Sequence, residues 1–241
     1  MTGKPVALVT GSSSGIGEAV VRRLSGAGHR VVVNSARSVE AGRKLAESLP
    51  DALYVQADIG VQAQAQRLVA AAVDHFGRLD VLVNNAGTTR RIPHQDLAGA
   101  TPEIWREILD LNVIGTWQTT VAAVPHLRKS GGSVISVSSI AGSRPAGSSI
   151  PYAVSKAAIE HMTRLLAAAL GPEIRVNAVA PGLIETPWTR EFTDIAEHVR
   201  QSAPMRRVGL PEDVARAVHG LVGATYTTGS VVQVDGGAHL L

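Results

Sequence analysis

Seven short apolar runs alternate with longer amphipathic segments along this chain, and the alternation limits the folds that it can adopt. The runs carry Val, Leu and Ile on successive residues, which is typical of strands buried on both faces of a parallel sheet. They lie near residues 6–9, 31–33, 53–55, 81–83, 133–137, 174–179 and 231–234. The helical patterns lie near residues 16–27, 39–48, 61–76, 101–127, 152–170 and 211–223. This order predicts a doubly wound α/β fold, with a seven-stranded parallel sheet flanked by helices on both faces.

The composition favours a single folded domain. Hydrophobic residues make up 45% of the chain, so a buried core is expected and disorder is not. Aromatic residues make up only 3%, so Ala, Val, Leu and Ile must form that core. The least regular stretch, near residues 182–210, is either a flexible loop beside a ligand or an ordinary surface excursion. Without a linker, a low-complexity segment or a solenoid repeat, residues 1–241 are predicted to form one domain.

Composition and charge also exclude or disfavour several functional classes. The chain has no Cys, which excludes disulfides, thiol catalysis and Cys-based zinc sites, and no metal site is predicted. The net charge of +3 is spread along the chain, apart from the pairs Arg90 with Arg91 and Arg206 with Arg207, so nucleic-acid binding is not expected. A run of 18 apolar residues and a signal peptide are both absent, so we expect a cytoplasmic protein that does not bind membranes.

A glycine-rich turn follows the first predicted strand. It reads Thr10-Gly11-Ser12-Ser13-Ser14-Gly15-Ile16-Gly17 and leads into a helical pattern. Glycines here allow a tight turn and a close approach of backbone N–H groups to a pyrophosphate, and the helix start adds partial positive charge. The spacing Gly-x-x-x-Gly-x-Gly differs from the better-known Gly-x-Gly-x-x-Gly. Its position in the first strand-to-helix turn nevertheless predicts dinucleotide binding.

The segment after the second predicted strand bears on the choice of dinucleotide. Enzymes that prefer the cofactor without a 2′-phosphate usually carry an acid at the end of this strand. Here the segment reads Asn34-Ser35-Ala36-Arg37-Ser38, and no Asp or Glu occurs from residue 19 through residue 39. An arginine and small hydroxyls suit a 2′-phosphate, so NADP(H) is the predicted cofactor and NAD(H) the alternative. Arg37 as a solvated loop cation is the other interpretation.

Tyr152 and Lys156 lie four residues apart in a segment that reads as a helix, so their side chains share one helix face. A phenol has a pKa of about 10, which a nearby cation lowers. Pro151 marks the helix start, whose positive end also favours the phenolate. The pair is therefore suited to acid/base catalysis. The same spacing also arises by chance on surface helices, where the lysine is simply solvated.

Several motifs coincide in order along the chain. They are Thr10-Gly11-x-x-x-Gly15-x-Gly17, Asn84-Asn85-Ala86-Gly87, Asn112, Ser139, Tyr152-x-x-x-Lys156 and Pro181-Gly182. In this combination the whole chain resembles the short-chain dehydrogenase/reductase family, in its compact single-domain branch. The resemblance implies a Rossmann-like fold and an NAD(P)-dependent oxidoreductase that interconverts a carbonyl and a secondary alcohol.

The resemblance also implies roles for individual residues near the reacting groups. Tyr152 would be the general acid in carbonyl reduction and the base in alcohol oxidation, while Lys156 would lower its pKa and bond the nicotinamide ribose. Ser139, 13 positions before Tyr152, would bond the substrate oxygen, with the adjacent Ser138 as the alternative. Asn112 would hold a water on the path to Lys156, or be an ordinary polar residue of a long helix.

Further residues are expected, from the resemblance, to contact the cofactor. Those at the phosphates are Gly11, Ser13, Ser14, Gly15, Ile16 and Gly17. Those at the 2′-position and the adenine side are Ser35, Arg37, Asp58, Ile59, Asn85, Ala86 and Gly87. Those on the nicotinamide side are Pro181, Gly182, Ile184 and Thr186, with Ile184 and Thr186 meeting the carboxamide.

The substrate is the least determined part of the prediction. A broad analogy is to 3-oxoacyl-thioester reductases, but the short turn at residues 170–174 departs from the pattern that often carries a basic residue for a carrier protein. Sugar, steroid and small ketone or alcohol substrates therefore stay open. Arg90, Arg91 and Arg144 either attract an anionic substrate or are solvated at the rim. Residues from Trp188 through Pro204 are expected to shape the substrate site.

Two expectations concern the state of the protein rather than its site. Family members are commonly homotetramers with 222 symmetry or homodimers, and the resemblance places the interface on the helices near 101–127 and 152–170. A cofactor-binding regulatory module without turnover is the alternative to an active oxidoreductase. The complete set of Ser139, Tyr152 and Lys156 argues against that alternative.

Overall fold

The computed structural model describes residues 3–240 and contains the seven-stranded parallel sheet that the sequence predicts. The strands are β1 (Val6–Val9), β2 (Arg30–Ser35), β3 (Ala52–Gln56), β4 (Val81–Asn84), β5 (Ser133–Val137), β6 (Arg175–Pro181) and β7 (Val231–Val234). Their order across the sheet is β3-β2-β1-β4-β5-β6-β7, and every neighbouring pair is parallel. The predicted fold class is confirmed.

Helices cover both faces of the sheet. They are α1 (Gly15–Gly26), α2 (Val39–Glu47), α3 (Gln62–Phe76), α4 (Pro102–Leu109), α5 (Thr116–Ser130), α6 (Ile150–Leu170), α7 (Thr193–Ser202) and α8 (Pro211–Gly223). A π-helical turn, Asp110–Gly115, joins α4 to α5, so the long helix predicted near 101–127 is continuous but contains a π-bulge. Such bulges frequently occur at functional sites.

The stretch near 182–210 is more regular than the sequence indicates, because it contains α7 and a short 3₁₀ turn at Pro187–Thr189. The helix is short and mostly polar and has no buried residue, so its segment does not resemble a helix that packs into a core. The expectation of an irregular segment was therefore wrong over Thr193–Ser202.

Alternate residues of each central strand enter two aliphatic cores. In β1, Ala7 and Val9 pack with α1, α2 and α8, while Val6 and Leu8 pack with α3, α5 and α6. Burial on both faces explains why the strand sequences are continuously apolar. The cores are built from Ala, Val, Leu and Ile, as the low aromatic content requires.

The strand order reverses between β1 and β4, since the chain runs outward from β1 to β3 and then returns to the other side of β1. Ligands of open α/β sheets bind at such a switch point, beyond the carboxyl ends of the strands. The phosphate turn and the Asn84-Asn85-Ala86-Gly87 segment follow β1 and β4 at this edge. Among residues 3–240, no helix has the length and apolar character needed to cross a membrane.

Candidate active site

A cleft of about 780 Å³ lies at the carboxyl edge of the sheet and brings together nearly all of the predicted site residues. Those that line it are Gly11, Ser13, Ser14, Gly15, Ile16, Ser35, Arg37, Asp58, Ile59, Asn85, Ala86, Gly87, Ser139, Tyr152, Lys156, Pro181, Gly182, Ile184 and Thr186. Gly17 and Asn112 do not line the cleft but lie behind its wall. The volume is typical of sites for cofactors and drug-sized ligands.

The phosphate turn needs glycine at three positions for different reasons. Gly11 and Gly15 have φ of +60° and +58°, a region that side chains disfavour. A Cβ on Gly11 would lie 2.7 Å from the Ala86 Cα, and one on Gly17 would lie 2.5 Å from the Asn85 Nδ2. Gly17 thus allows Asn85 to pack closely beneath the turn, whereas Gly11 and Gly15 allow the positive φ angles that the turn requires. The turn is a backbone cradle that ends at the start of α1, as an anion site requires.

Two polar side chains that sequence reasoning did not assign to the site support this turn. Asn34 Oδ1 accepts a hydrogen bond from the Gly11 N–H at 3.1 Å, and its Nδ2 donates to the carbonyls of Val55 and Ala57. Asn34 is only 1% exposed and joins the ends of β1, β2 and β3. The sequence contains one signal for this role, since Asn34 directly follows the apolar run of β2. An amide side chain buried at the end of a strand needs hydrogen-bond partners in neighbouring segments.

Thr10 makes the equivalent connection between β1 and β4. Its Oγ1 accepts hydrogen bonds from the backbone N–H groups of Asn85 and Ala86, at 3.0 and 3.1 Å. The Asn85 side chain donates back to the carbonyls of Thr10 and Gly11. The two loops at the switch point are therefore held as one unit.

The far end of the cleft carries the groups expected near the adenosine ribose. Arg37 is exposed at the cleft wall and forms no ion pair within residues 3–240. The hydroxyl of Ser35 lies 2.9 Å from the Tyr54 hydroxyl and donates to the carbonyl of Ser38. Asp58 accepts a hydrogen bond from the Gly60 N–H at 2.9 Å, which shapes the turn after β3. An unpaired cation thus lies at this end of the cleft.

The two adjacent serines after β5 have different surroundings. Ser138 is buried, and its hydroxyl is within hydrogen-bonding distance of the Lys156 carbonyl (3.1 Å) and the Glu160 carboxyl (3.2 Å). Ser139 is half-buried, lines the cleft and lies close enough to Tyr152 to lower the pKa of the phenol. Its Oγ also accepts a hydrogen bond from the Ala141 N–H at 3.2 Å. Ser138 therefore anchors α6, and Ser139 is the hydroxyl placed beside the phenol.

Lys156 lies under the cleft floor on the buried side of α6. Its ammonium donates to the carbonyl of Val137 at 2.8 Å and lies 5.6 Å from the centre of the Tyr152 ring. The residue is only 5% exposed, and burial lowers its pKa to about 8. The Lys156 ammonium thus lies between the end of β5 and the phenol ring.

The pKa of Tyr152 moves in the direction opposite to the one expected from sequence. Burial raises it to about 12, while the hydrogen bond with Ser139 acts in the lowering direction. The spacing on the helix indicates the neighbouring cation and the helix start but not desolvation, which disfavours a charged phenolate. Ser149 caps α6 by accepting from the Tyr152 N–H, which fixes the start of this helix. Burial therefore favours the protonated phenol over the phenolate.

Asn112 lies in the π-helical turn and is 2% exposed. Its Oδ1 accepts from the Thr88 N–H at 2.7 Å, and its Nδ2 donates to the Thr88 carbonyl and to the Ser155 hydroxyl. The side chain thus ties the loop after β4 to α6, next to Lys156. Asn112 is thus a buried residue whose amide group is fully hydrogen-bonded.

The segment after β6 forms the remaining wall. Thr186 caps the 3₁₀ turn at Pro187–Thr189, and its Oγ1 accepts from the Thr189 N–H. The same residue packs against the phosphate turn, because a Cβ on Gly15 would lie 3.3 Å from its methyl group. Trp188, the next aromatic residue along the chain, lies 6.2 Å from Tyr152 between ring centres. The segment therefore spans from the phosphate turn to the phenol.

These features fit a nicotinamide dinucleotide. The glycine cradle would receive the pyrophosphate, Arg37 lies at the adenosine end, and Lys156 and Tyr152 lie at the other end. When bound, such a cofactor supplies or accepts a hydride. Ser139 and Tyr152 are placed to hold an oxygen and to move a proton there.

Comparison with known proteins places this architecture in a family. A family model described as enoyl-(acyl carrier protein) reductase matches residues 11–239. The chain belongs to the short-chain dehydrogenase/reductase family. It is therefore an oxidoreductase of the class that acts on CH–OH and C=O groups.

Members of the family with assigned activities resemble the chain over almost its full length. A protein assigned as ketoacyl reductase 2 of the granaticin polyketide synthase in Streptomyces violaceoruber is 73% identical, over 98% of this chain and 97% of that protein. The L-fucose dehydrogenase of Bos taurus is 36% identical, over 98% of this chain and 89% of that protein. A solved structure of the 3-ketoacyl-(acyl-carrier-protein) reductase from Brucella melitensis with NADH has a TM-score of 0.91 and 34% identity, covering 98% of both chains.

Proposed function

We propose that this protein is an NADP(H)-preferring reductase that converts a ketone to a secondary alcohol, with Tyr152 as the proton donor. Ser139 bonds the carbonyl oxygen, Tyr152 delivers the proton to that oxygen, and the carbonyl carbon accepts the hydride. A phenol whose pKa is raised by burial stays protonated at neutral pH, which is the form that ketone reduction requires. Two of the similar proteins are named ketoacyl reductases, which supports reduction as the working direction.

The observation that carries this proposal is the convergence of Ser139, Tyr152 and Lys156 on one wall of a cleft whose other end is a glycine cradle. Two hydrogen-bonding groups aimed at one oxygen stabilise the negative charge that builds up there during hydride transfer. Lys156 lies beneath the phenol and is the group through which its proton is replaced. Asn112 positions the loop and helix that hold Lys156.

A Tyr152→Phe variant tests the role of the phenol. The substitution removes only the hydroxyl, so the variant should bind NADPH with unchanged affinity and lose ketone reduction by at least about 10²-fold. Tyr226→Phe is the matched control, since Tyr226 is fully exposed and outside the cleft. Unchanged turnover in Tyr152→Phe would refute the assignment. Turnover by the native protein on no ketone or alcohol would favour a cofactor-binding regulatory module.

The preference for NADP(H) rests on Arg37. No acid is present at the end of β2, and the Arg37 guanidinium lies at the cleft wall without an ion-pair partner in residues 3–240. A charge-assisted bond to a 2′-phosphate is worth enough to change affinity about 10- to 100-fold. Arg37→Ala should weaken NADPH binding by that factor and leave NADH binding unchanged, with the exposed Arg43→Ala as control. Tighter binding of NADH than of NADPH by the native protein would contradict the preference.

We propose in addition that the protein is a homotetramer or homodimer that pairs through α5 and α6. Ile114, Trp117 and Val121 form an apolar stripe on one helix and are 47 to 48% exposed. Val154 and Leu165 on α6 are 43% and 58% exposed. Sedimentation should show an oligomer that Trp117→Glu dissociates and Leu97→Glu, a change in an exposed loop residue, does not. A monomer at micromolar concentration would contradict this proposal.

A further inference from the structure

The chain is poor in aromatic residues, yet it places three of them around the reacting end of the cleft. It has only 3 Trp, 3 Tyr and 2 Phe, and Tyr152, Trp188 and Phe192 all line the cleft. The cores are aliphatic, so these rings are not needed to build the fold. Trp188 is 46% exposed, and burying the remainder of its ring against a ligand would be favourable.

Trp188 and Tyr152 form a corner at the site of proton transfer. Their ring centres are 6.2 Å apart and their planes are inclined by 77°. Aromatic rings prefer edge-to-face and offset-stacked neighbours, so a flat ring on the substrate would find a favourable partner beside the phenol. Ile195 and Val199 of α7 extend the same apolar wall.

Phe192 is held in place by the loop on the opposite side. The Arg91 guanidinium lies 5.4 Å from the centre of the Phe192 ring and donates to Asp194 at 2.7 Å. This loop is in turn bound to the start of α6, because the Ile92 N–H donates to the Ser148 carbonyl at 2.8 Å. The Phe192 ring is therefore connected, through the loop that carries Arg91 and Ile92, to the start of α6, the helix that carries Tyr152.

The cations at the rim are already paired. Arg90 forms an ion pair with Glu107 at 2.9 Å, Arg91 pairs with Asp194, and the Arg144 guanidinium donates to the carbonyl of His239. These are the three arginines for which the sequence left open attraction of an anionic substrate. An anionic substrate would compete with Glu107 and Asp194 for two of these guanidinium groups, so the rim attracts an anion less than free arginines would and is suited to an uncharged substrate.

From these two observations we infer that the substrate is an uncharged ketone with a flat aromatic ring next to its carbonyl, packed against Trp188 and Phe192. The inference rests on the proposed ketone reduction and adds the substrate class to it. The ring packs in the aromatic corner, which places the carbonyl oxygen at Ser139 and Tyr152.

A matched pair of ketones tests the inference through turnover. The probes are 2-acetylnaphthalene and its saturated counterpart 2-acetyldecalin, assayed for kcat/KM with NADPH. The ratio of the two values should fall about 2- to 12-fold in Trp188→Leu, the worth of one aromatic contact, and recover in Trp188→Phe. Tyr226→Leu is the control, because Tyr226 is an exposed aromatic residue that lies outside both the cleft and the proposed oligomer interface. An unchanged ratio in Trp188→Leu overturns the inference.

A binding measurement separates this inference from the proposed function. Affinity for 2-acetylnaphthalene is measured by calorimetry on Tyr152→Phe and on Tyr152→Phe with Trp188→Leu, both with NADPH. Weaker binding by the double variant supports the aromatic site, whether or not the native protein reduces either ketone. Absence of reduction would contradict the proposed reaction but not the aromatic site. Equal binding overturns the aromatic site. Binding of 6-acetyl-2-naphthoate at least tenfold tighter than 2-acetylnaphthalene overturns the preference for an uncharged substrate.

Discussion

The buried ammonium of Lys156 should make the stability of the fold depend on pH in a way that one substitution removes. Lys156 is 5% exposed, and burial lowers its pKa from 10.5 to about 8. In the unfolded chain the same side chain titrates at its ordinary pKa. Between these two values the unfolded state holds more protons than the folded state, so the free energy of unfolding rises with pH.

The magnitude follows from the size of the shift. Each unit of pKa difference corresponds to about 1.4 kcal/mol, so the charged lysine destabilises the fold by about 3 kcal/mol at pH 7. Raising the pH from 7 to 9 deprotonates most of the folded-state lysine and should stabilise the fold by about 1 kcal/mol. Tyr152 contributes little between pH 7 and pH 9, because the phenol is protonated in the unfolded state and, with its raised pKa, in the folded state as well.

The assay is urea unfolding at pH 7 and pH 9, at one protein concentration, followed by circular dichroism. Between pH 7 and pH 9, the free energy of unfolding of the native protein should rise by about 1 kcal/mol more than that of Lys156→Met. Lys129→Met is the matched control, since Lys129 is exposed, and it should keep the native pH dependence. Groups that titrate elsewhere in the chain cancel in the comparison. If Lys156→Met shows the same pH dependence as the native protein, the argument from a desolvated ammonium is refuted.

Five further substitutions, in which Ser138→Ala and Gly26→Ala serve for comparison, test the placement of the site residues. Ser139→Ala should lower kcat/KM about 10²-fold, whereas Ser138→Ala, which removes a buried hydroxyl, should mainly destabilise the fold by about 1–3 kcal/mol in urea. Asn34→Ala leaves the Gly11 N–H and two carbonyls without their partner. It should destabilise the fold by about 2–5 kcal/mol and weaken cofactor binding in calorimetry. Gly17→Ala, whose Cβ would lie 2.5 Å from the Asn85 Nδ2, should cost about 1–3 kcal/mol in thermal unfolding. Gly26→Ala, with open space at its Cβ, should cost nothing measurable.

Much of the cleft could be predicted because its parts are contiguous in sequence. The phosphate turn is eight successive residues, and Tyr152 and Lys156 are one helical turn apart. Segments that follow parallel strands meet at one edge of the sheet, so correctly placed strands also place their loops. Gly17 and Asn112 lie behind the cleft wall rather than in it. Gly17 leaves room for the Asn85 side chain, and Asn112 bonds to Thr88 in the loop after β4.

Other properties depended on partners that are distant in the chain. Asn34 bridges to Gly11, Val55 and Ala57, and no local pattern marks it as a support of the phosphate turn. The pairing of Arg91 with Asp194 spans 103 positions, so the sequence left its role open. Helix α7 was missed because its ten-residue segment is mostly polar and lies within an irregular stretch rich in Pro, Thr and charged residues.

The sequence by itself determined the seven parallel strands, the glycine cradle and the shared helix face of Tyr152 and Lys156. These follow from periodicity and local spacing, which are properties of neighbouring residues. Only the tertiary structure decided which of the two adjacent serines faces the phenol and in which direction the pKa of Tyr152 moves. Burial and hydrogen bonding depend on elements brought together by folding, and desolvation outweighed the charge effect that spacing alone had indicated.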